Sequence, residues 1–153
     1  MLIRPYQPGD ADALAQIFFD AVRIGAAPKY PAAELAAWAP IRPSAEVWAA
    51  RLAPLTTFVA EAHQPIGFMS LGANGYLDLA FVAPEQRGQG VADALHAAVL
   101  TYAQSRDLPL LTTEASRMAR PFFLRMGWQD LARQTVERGG QQIENFKMQR
   151  ICR

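Results

Sequence analysis

The stretch with the clearest chemical meaning covers residues 80–92, which read Ala-Phe-Val-Ala-Pro-Glu-Gln-Arg-Gly-Gln-Gly-Val-Ala. An apolar run ends at Pro84, a polar turn contains Gly88 and Gly90, and a long segment with helical periodicity then begins. The first N–H groups of a helix have no intrahelical partner and lie at the positive end of its dipole. Together with two glycines and the charge of Arg87, they predict a site for a phosphate or pyrophosphate group.

Two common phosphate loops do not fit this stretch. A P-loop requires a Lys followed by Ser or Thr, which is absent here, and a dinucleotide fingerprint requires a third glycine where this chain has Asp93. The pattern that is present is Arg87-x-x-Gly90-x-Ala92, preceded by the apolar residues 81–84. It resembles the acetyl-CoA loop of the GCN5-related N-acetyltransferase (GNAT) family, whose signature is Gln/Arg-x-x-Gly-x-Gly/Ala.

A second match to the same family lies downstream. Residues 114–116 (Glu-Ala-Ser) end an apolar run, and residues 119–128 read Ala-Arg-Pro-Phe-Phe-Leu-Arg-Met-Gly-Trp. Family members typically have a strand here, then a short helix with an aromatic pair, then Gly-Phe, and Trp128 stands where Phe is usual. The two matches occur in the family's order and with the flanking strands cover about residues 56–150. The resemblance implies an enzyme that transfers an acetyl group from acetyl-CoA to an amine.

Composition sets limits on the class of protein. The chain has 153 residues, 51% of them hydrophobic, which predicts one packed domain over residues 1–153. Its net charge of +1 favours neither nucleic acid nor a membrane surface as partner. The single cysteine, Cys152, allows no internal disulfide, and the N-terminal residues read as a strand rather than a signal peptide. We therefore expect a cytoplasmic protein.

The periodicity predicts a mixed α+β architecture: a sheet of about seven strands flanked by about four helices. The strand Tyr76–Val82, expected to be buried on both faces, should lie parallel to the strand 108–113 through a helical crossover that begins after Gly90. Asp10 or Asp12 is expected to cap the first helix, which should run to about Arg23. In the family, the two parallel central strands separate at their C-terminal ends, here near Val82 and Glu114.

The resemblance places the pantetheine arm of acetyl-CoA in that gap. Backbone groups of residues 81–83 would contact the arm or the thioester, and an N–H there would polarise the acetyl carbonyl. Backbone N–H groups of residues 87–92 would hold the pyrophosphate, and Phe122 and Phe123 would form an apolar wall or pack in the core. The predicted cofactor-binding residues are Phe81, Val82, Ala83, Arg87, Gly88, Gln89, Gly90, Val91, Ala92, Ser116, Phe122 and Phe123.

Direct attack by an amine requires a base, because an amine is protonated at neutral pH. Asp78 is a lone charge within an apolar strand, and strand alternation places it on one face with Ala80 and Val82. Glu114 follows the next strand, beside the expected thioester, and Glu61 on a neighbouring hairpin is a weaker candidate. Each has a structural alternative: an ion pair or a core hydrogen bond for Asp78, and a helix cap for Glu114.

The leaving thiolate requires a proton, and here the chain departs from the family. Many members place a Tyr four residues before the Gly that ends the short helix, a position occupied by Phe123. Ser116, Tyr30, the substrate ammonium or water could replace it. The departure leaves open a second function class, a CoA-binding module with little transferase activity.

The N-terminal third supplies the candidates for acceptor binding. Tyr30 and Trp38 follow the first helix, where family members cover the acceptor site, and with Trp48 they could bind an apolar or cationic group or pack in the core. His63 is expected in a turn and His96 on an exposed helix face, so the sequence predicts no metal site. The predicted partners are acetyl-CoA and an amine acceptor, with a homodimer left open.

Overall fold

The computed structural model describes residues 1–152 as a seven-stranded mixed sheet with the order β1-β2-β3-β4-β5-β7-β6. The strands are β1 (Leu2–Pro5), β2 (Thr56–Ala62), β3 (Gln64–Leu71), β4 (Tyr76–Val82), β5 (Leu110–Ser116), β6 (Gln129–Arg138) and β7 (Gln141–Ile151). The helices are α1 (Ala11–Asp20), α2 (Ala32–Trp38), α3 (Ala45–Leu52), α4 (Val91–Ser105) and α5 (Arg120–Arg125). Only β4 and β5 pair in parallel among these strands, which confirms the predicted mixed sheet, with five α-helices rather than about four.

Two element boundaries differ from the sequence prediction. Helix α1 ends at Asp20 and continues as a π-helical turn over Ala21–Gly25. Asp10 does not cap α1 with its side chain, because its carboxylate binds the Arg4 guanidinium at 2.8 Å and accepts the Gln7 N–H. Strand β5 continues to residue 116, so Glu114 lies within the strand rather than at its exit.

The sheet has a packed layer on each face. On one face α4 buries Val91, Leu95 and Val99 against β3, β4 and β5. On the other face α1 and α3 form a second cluster, in which Trp48 stacks on Phe18 with ring centroids 4.8 Å apart. The apolar side chains of β4 therefore pack against α4 on one face and against α1 and α3 on the other.

A β-bulge in β4 changes the face of its side chains. Ser70 pairs with Leu79 and Leu71 pairs with Leu77, so Asp78 is an extra residue without a partner on β3. As a result Leu77 packs in the α4 cluster and Leu79 in the α1–α3 cluster, although both are odd-numbered. The prediction that Asp78 shares a face with Ala80 and Val82 is wrong, because the bulge moves Asp78 to the opposite face.

The parallel strands β4 and β5 separate after a short paired segment. Their pairing covers only Tyr76 with Thr112 and Leu77 with Thr113, where the Thr113 hydroxyl also donates to the Leu77 carbonyl at 2.7 Å. Beyond the end of β4, the Ala83 N–H donates to a carbonyl of β3. Because N–H groups alternate in direction along an antiparallel strand, the amides of residues 80 and 82 face away from β3 and into the gap. Residues 80–82 of this strand are therefore only half-buried, and the prediction that the strand is buried on both faces is wrong.

In the part of the chain that the structure describes, no helix is long and apolar enough to cross a membrane.

Candidate active site

Three adjoining cavities follow the gap between β4 and β5. The loop cavity, about 320 Å³, lies at the turn before α4. The central cavity, about 230 Å³, lies between the separating strands, and the outer cavity, about 300 Å³, lies beyond them. Val82, Arg87, Ala92 and Phe122 line both the loop and central cavities. Trp38, Phe81 and Ser116 line both the central and outer cavities, so the three form one continuous path.

The turn before α4 presents backbone groups to the loop cavity. Gly88 and Gly90 have φ values of +75° and +79°, a left-handed conformation that strongly favours glycine. Gly90 is the N-cap of α4, and the first backbone bond back to it comes from Ala94, so the amides of residues 88–92 precede the helical bonding pattern. Gln89 is exposed in this turn, and a Cβ built at either glycine would meet no atom within 4 Å. The turn is therefore open to a ligand.

Arg87 connects this turn to the π-helical turn after α1. Its Nη1 donates to the Gly25 carbonyl at 2.7 Å. A Cβ added at Gly25 would lie 2.2 Å from the Arg87 Nη2, so only glycine permits this approach. The guanidinium lies between the loop and central cavities, so Arg87, predicted to bind the cofactor, lines both of them.

The central cavity is mainly apolar. Its walls include Ala80 and Val82 from β4 and Phe122 and Phe123 from α5. Phe123 is 2% exposed, and its ring lies 4.9 Å from that of Trp128, so it contributes to both the core and the wall. The predicted backbone ligands of β4 border this cavity, except that the Ala83 N–H is committed to Ile66 on β3 at 2.8 Å.

His96 lies behind the central cavity, and the prediction that it is exposed is wrong. It is 2% exposed, and its Nε2 accepts the Trp128 Nε1–H at 2.9 Å. Burial, with a smaller contribution from the charge of Arg150, lowers the pKa of His96 to about 4. His96 is therefore neutral at physiological pH, and its ring packs against α5.

Two carboxylates line the outer cavity in different environments. Asp78 accepts two hydrogen bonds from Arg51, each 2.9 Å long, in a bidentate ion pair. Glu114 is exposed to the cavity and interacts with the hydroxyl of Tyr76. Burial, the charges of Glu114 and Asp78, and the hydrogen bond to Glu114 raise the pKa of Tyr76 to about 12, so its phenol stays protonated.

The predicted acceptor-binding aromatics line the same cavity. The Tyr30 hydroxyl donates to the Glu144 carbonyl at 2.6 Å and accepts the Arg117 N–H at 2.8 Å. Burial raises its pKa, and its proton is engaged, which argues against Tyr30 as the acid. The Trp38 ring packs edge-on against Tyr30 and is half-buried. Ser116, between the central and outer cavities, accepts the Ala119 N–H at 3.0 Å and retains a hydroxyl proton to donate.

The outer cavity also contains polar atoms without partners. Within residues 1–152, the buried Nε1 of Trp48 and the buried Oδ1 of Asn145 make no hydrogen bond. Both residues line the outer cavity. A buried polar atom without a hydrogen-bond partner is unusual, and one explanation is a bound ligand that provides the missing partner.

Sequence reasoning missed Arg51 and Tyr76 as site residues. Tyr76 could have been found from the sequence, because it lies two residues before Asp78 on the same strand. Arg51 could not, because its contact with Asp78 depends on the bulge. The weaker base candidate, Glu61, binds Arg4 at 2.7 Å on the outer strands and lines none of the three cavities. In the described part of the chain no cluster of His, Cys, Asp and Glu could hold a metal ion.

Comparison with known proteins identifies the fold and the family. The family model described as an acetyltransferase (GNAT) domain matches residues 26–150. The chain is 40% identical over 147 residues to the uncharacterized N-acetyltransferase YafP of Escherichia coli K12, and the match covers 95% of this chain and 93% of YafP. These matches confirm the predicted family: the chain belongs to the GNAT acetyltransferases.

Solved structures agree with this assignment. A GCN5-related N-acetyltransferase from Rhodopseudomonas palustris is 32% identical and superposes with a TM-score of 0.92 over 98% of this chain and 94% of that one. The fold also resembles that of YncA from Salmonella typhimurium, solved with its cofactor acetyl-CoA, at a TM-score of 0.76 and 16% identity over 100% and 94% of the two chains.

Proposed function

We propose that this enzyme transfers the acetyl group of acetyl-CoA directly to a primary amine. The observation that carries the proposal is the continuous path from the glycine turn through the β4–β5 gap to the outer cavity. A pyrophosphate at the amides of residues 88–92 would direct the pantetheine arm along the open edge of β4. The thioester would then lie where the central and outer cavities meet.

The groups at this junction fit the chemistry of a thioester. The amides of Ala80 and Val82 face the gap, so one of them would donate to the carbonyl oxygen as negative charge develops there. The amine nitrogen forms the new C–N bond, and the C–S bond breaks to release the CoA thiolate. A thiol has a pKa of about 8.5, so the thiolate leaves readily and takes its proton from Ser116 backed by solvent or from solvent directly.

The base is best assigned to Glu114. Both carboxylate oxygens of Asp78 accept a hydrogen bond from Arg51, so neither is free to receive the amine. Glu114 lines the same cavity and interacts there with the Tyr76 phenol, which its raised pKa keeps protonated. Glu114 therefore takes the proton from the amine, directly or through a water, and Tyr76 positions its carboxylate.

The base assignment is tested by measuring CoA release with a reactive amine. Glu114→Gln should lower kcat by about 10²-fold or more, with little change in the KM for acetyl-CoA. Asp78→Asn should have a smaller effect on kcat. Glu46→Gln, an exposed carboxylate on α3 that lines none of the three cavities, serves as the matched control. Full activity of Glu114→Gln at neutral pH would remove Glu114 from this role.

The replacement of the family tyrosine by Phe123 favours a second candidate, a CoA-binding module without transferase activity. Phe123 is buried against Trp128 and has no proton to donate. Acetyl-CoA binding without acetylation of any amine would support this alternative.

A further inference from the structure

Two of the three carboxylates that line the outer cavity are paired with arginines. Asp78 is neutralised by Arg51 and Glu144 by Arg117, at 2.9 Å in each case. Glu114, in contrast, interacts with an uncharged phenol. Among residues 1–152 no basic side chain forms an ion pair with Glu114, although Lys147 is its cross-strand neighbour on β7. This carboxylate suits a single ammonium group.

Two side chains of the same cavity offer hydrogen-bond donors to a ligand. Arg138 lines it from the end of β6, is exposed, and donates to the carbonyl of its neighbour Glu137 at 3.2 Å. The Nε1–H of Trp48 is buried, and Trp48 as a whole is only 5% exposed. Burying an indole N–H without a partner costs free energy, so a ligand that brings an acceptor oxygen is favoured here.

We propose that the acceptor is a small zwitterion, an amine that carries a carboxylate in the manner of a free amino acid. This inference rests on the proposed acetyl transfer and specifies its second substrate. The ammonium is received at Glu114 and loses its proton there, and the carboxylate oxygens bind the donors of Arg138 and Trp48. Asn145, whose Oδ1 has no partner within residues 1–152, is a further acceptor for the ammonium.

The alternatives fit the cavity less well. A polyamine would bring only donors and positive charge toward Arg138, and would leave the Trp48 N–H without a partner. A volume of about 300 Å³ is at the small end of ligand pockets, which suits a free amino acid. The six aromatic side chains around it (Phe18, Tyr30, Trp38, Trp48, Tyr76 and Phe81) provide an apolar surface for its side chain.

The test compares each common L-amino acid with its own decarboxylated amine as acceptor. Both have the same side chain and amine, so the ratio of their kcat/KM values isolates the carboxylate. We expect the amino acid to be preferred by at least about 10-fold, the size of one charge-assisted hydrogen bond. Equal or faster reaction of the decarboxylated amines would overturn the inference while leaving the acetyl transfer intact. With acetyl-CoA bound, no reaction of any acceptor would instead overturn the transfer, and the inference with it.

Two variants connect the preference to the residues. Arg138→Gln should reduce the ratio by about 10-fold, and Trp48→Phe, which keeps the ring but removes the N–H, should raise the KM for the amino acid. Arg106→Gln at the distant end of α4 is the control and should leave the ratio unchanged. An unchanged ratio in both site variants would contradict the proposed contacts.

Discussion

The buried His96 makes a quantitative prediction about stability. Its Nε2 accepts the Trp128 N–H at 2.9 Å, and burial lowers its pKa from 6.5 to about 4. Above pH 6.5 the histidine is neutral in both folded and unfolded chains. As the pH falls below this value the unfolded chain takes up the proton first, so the native state loses stability until the pH passes the folded pKa.

The size of this loss follows from the two pKa values. Each pH unit between them corresponds to about 1.4 kcal/mol, so acidification from about pH 7.5 to about pH 4.5 should remove about 2.5 kcal/mol of unfolding free energy through His96 alone. Carboxylates titrate over part of this range as well. The contribution of His96 is therefore measured as a difference between the wild type and a variant that cannot titrate.

The variant is His96→Gln, whose side-chain oxygen can still accept the Trp128 N–H. Urea unfolding followed by tryptophan fluorescence gives the free energy of unfolding at each pH. His96→Gln should be less stable than the wild type at neutral pH but should lose about 2.5 kcal/mol less on acidification. His63→Asn, in an exposed turn with a φ of +67°, is the control and should follow the wild type. Parallel curves for wild type and His96→Gln would refute the reasoning.

Three further predictions concern the acetyl-CoA path. Gly90→Glu places bulk and negative charge at the open turn and should abolish acetyl-CoA binding by calorimetry, whereas Gly9→Glu, also open but remote from the turn, should not. Gly25→Ala should displace the Arg87 guanidinium, because the new Cβ would lie 2.2 Å from Nη2, and should weaken acetyl-CoA binding while preserving the fold by circular dichroism. Phe123→Tyr should change kcat by less than about 10-fold, since a thiolate leaves without a dedicated acid; a large gain would mark the wild type as a weakened transferase.

Much of the fold could be predicted because local signals agreed with the family pattern. The strand Tyr76–Val82 has the bounds predicted from its apolar run, and the helix after Gly90 begins where the glycine turn indicated. The separation of β4 and β5 was expected from the resemblance and is confirmed by the two paired positions that precede it.

The errors arose where tertiary contacts decide. Strand alternation assigned Asp78 to the wrong face because one extra residue in β4 shifts the pattern, and no local signal marks a bulge without glycine. His96 was expected to be exposed, since a histidine on a helix reads as polar. Its burial depends on Trp128, which is 32 residues away and stands at a position where the family usually has Phe.

The roles of the two carboxylates could not be separated from sequence either. Asp78 and Glu114 both lie on strands that end near the gap, which made both of them candidates for the base. Their difference depends on Arg51, which reaches Asp78 from α3 across 27 residues of chain. Periodicity places residues on faces but does not show which opposite charge will meet them.

The central claim is acetyl transfer, and the mass of the product tests it most directly. The enzyme is incubated with acetyl-CoA carrying a heavy-isotope acetyl group and with a panel of free amino acids and simple amines. The account predicts an amide bearing one labelled acetyl group, formed about 10²-fold more slowly by Glu114→Gln. Acetyl-CoA that binds but labels no amine, or that is only hydrolysed, would contradict it.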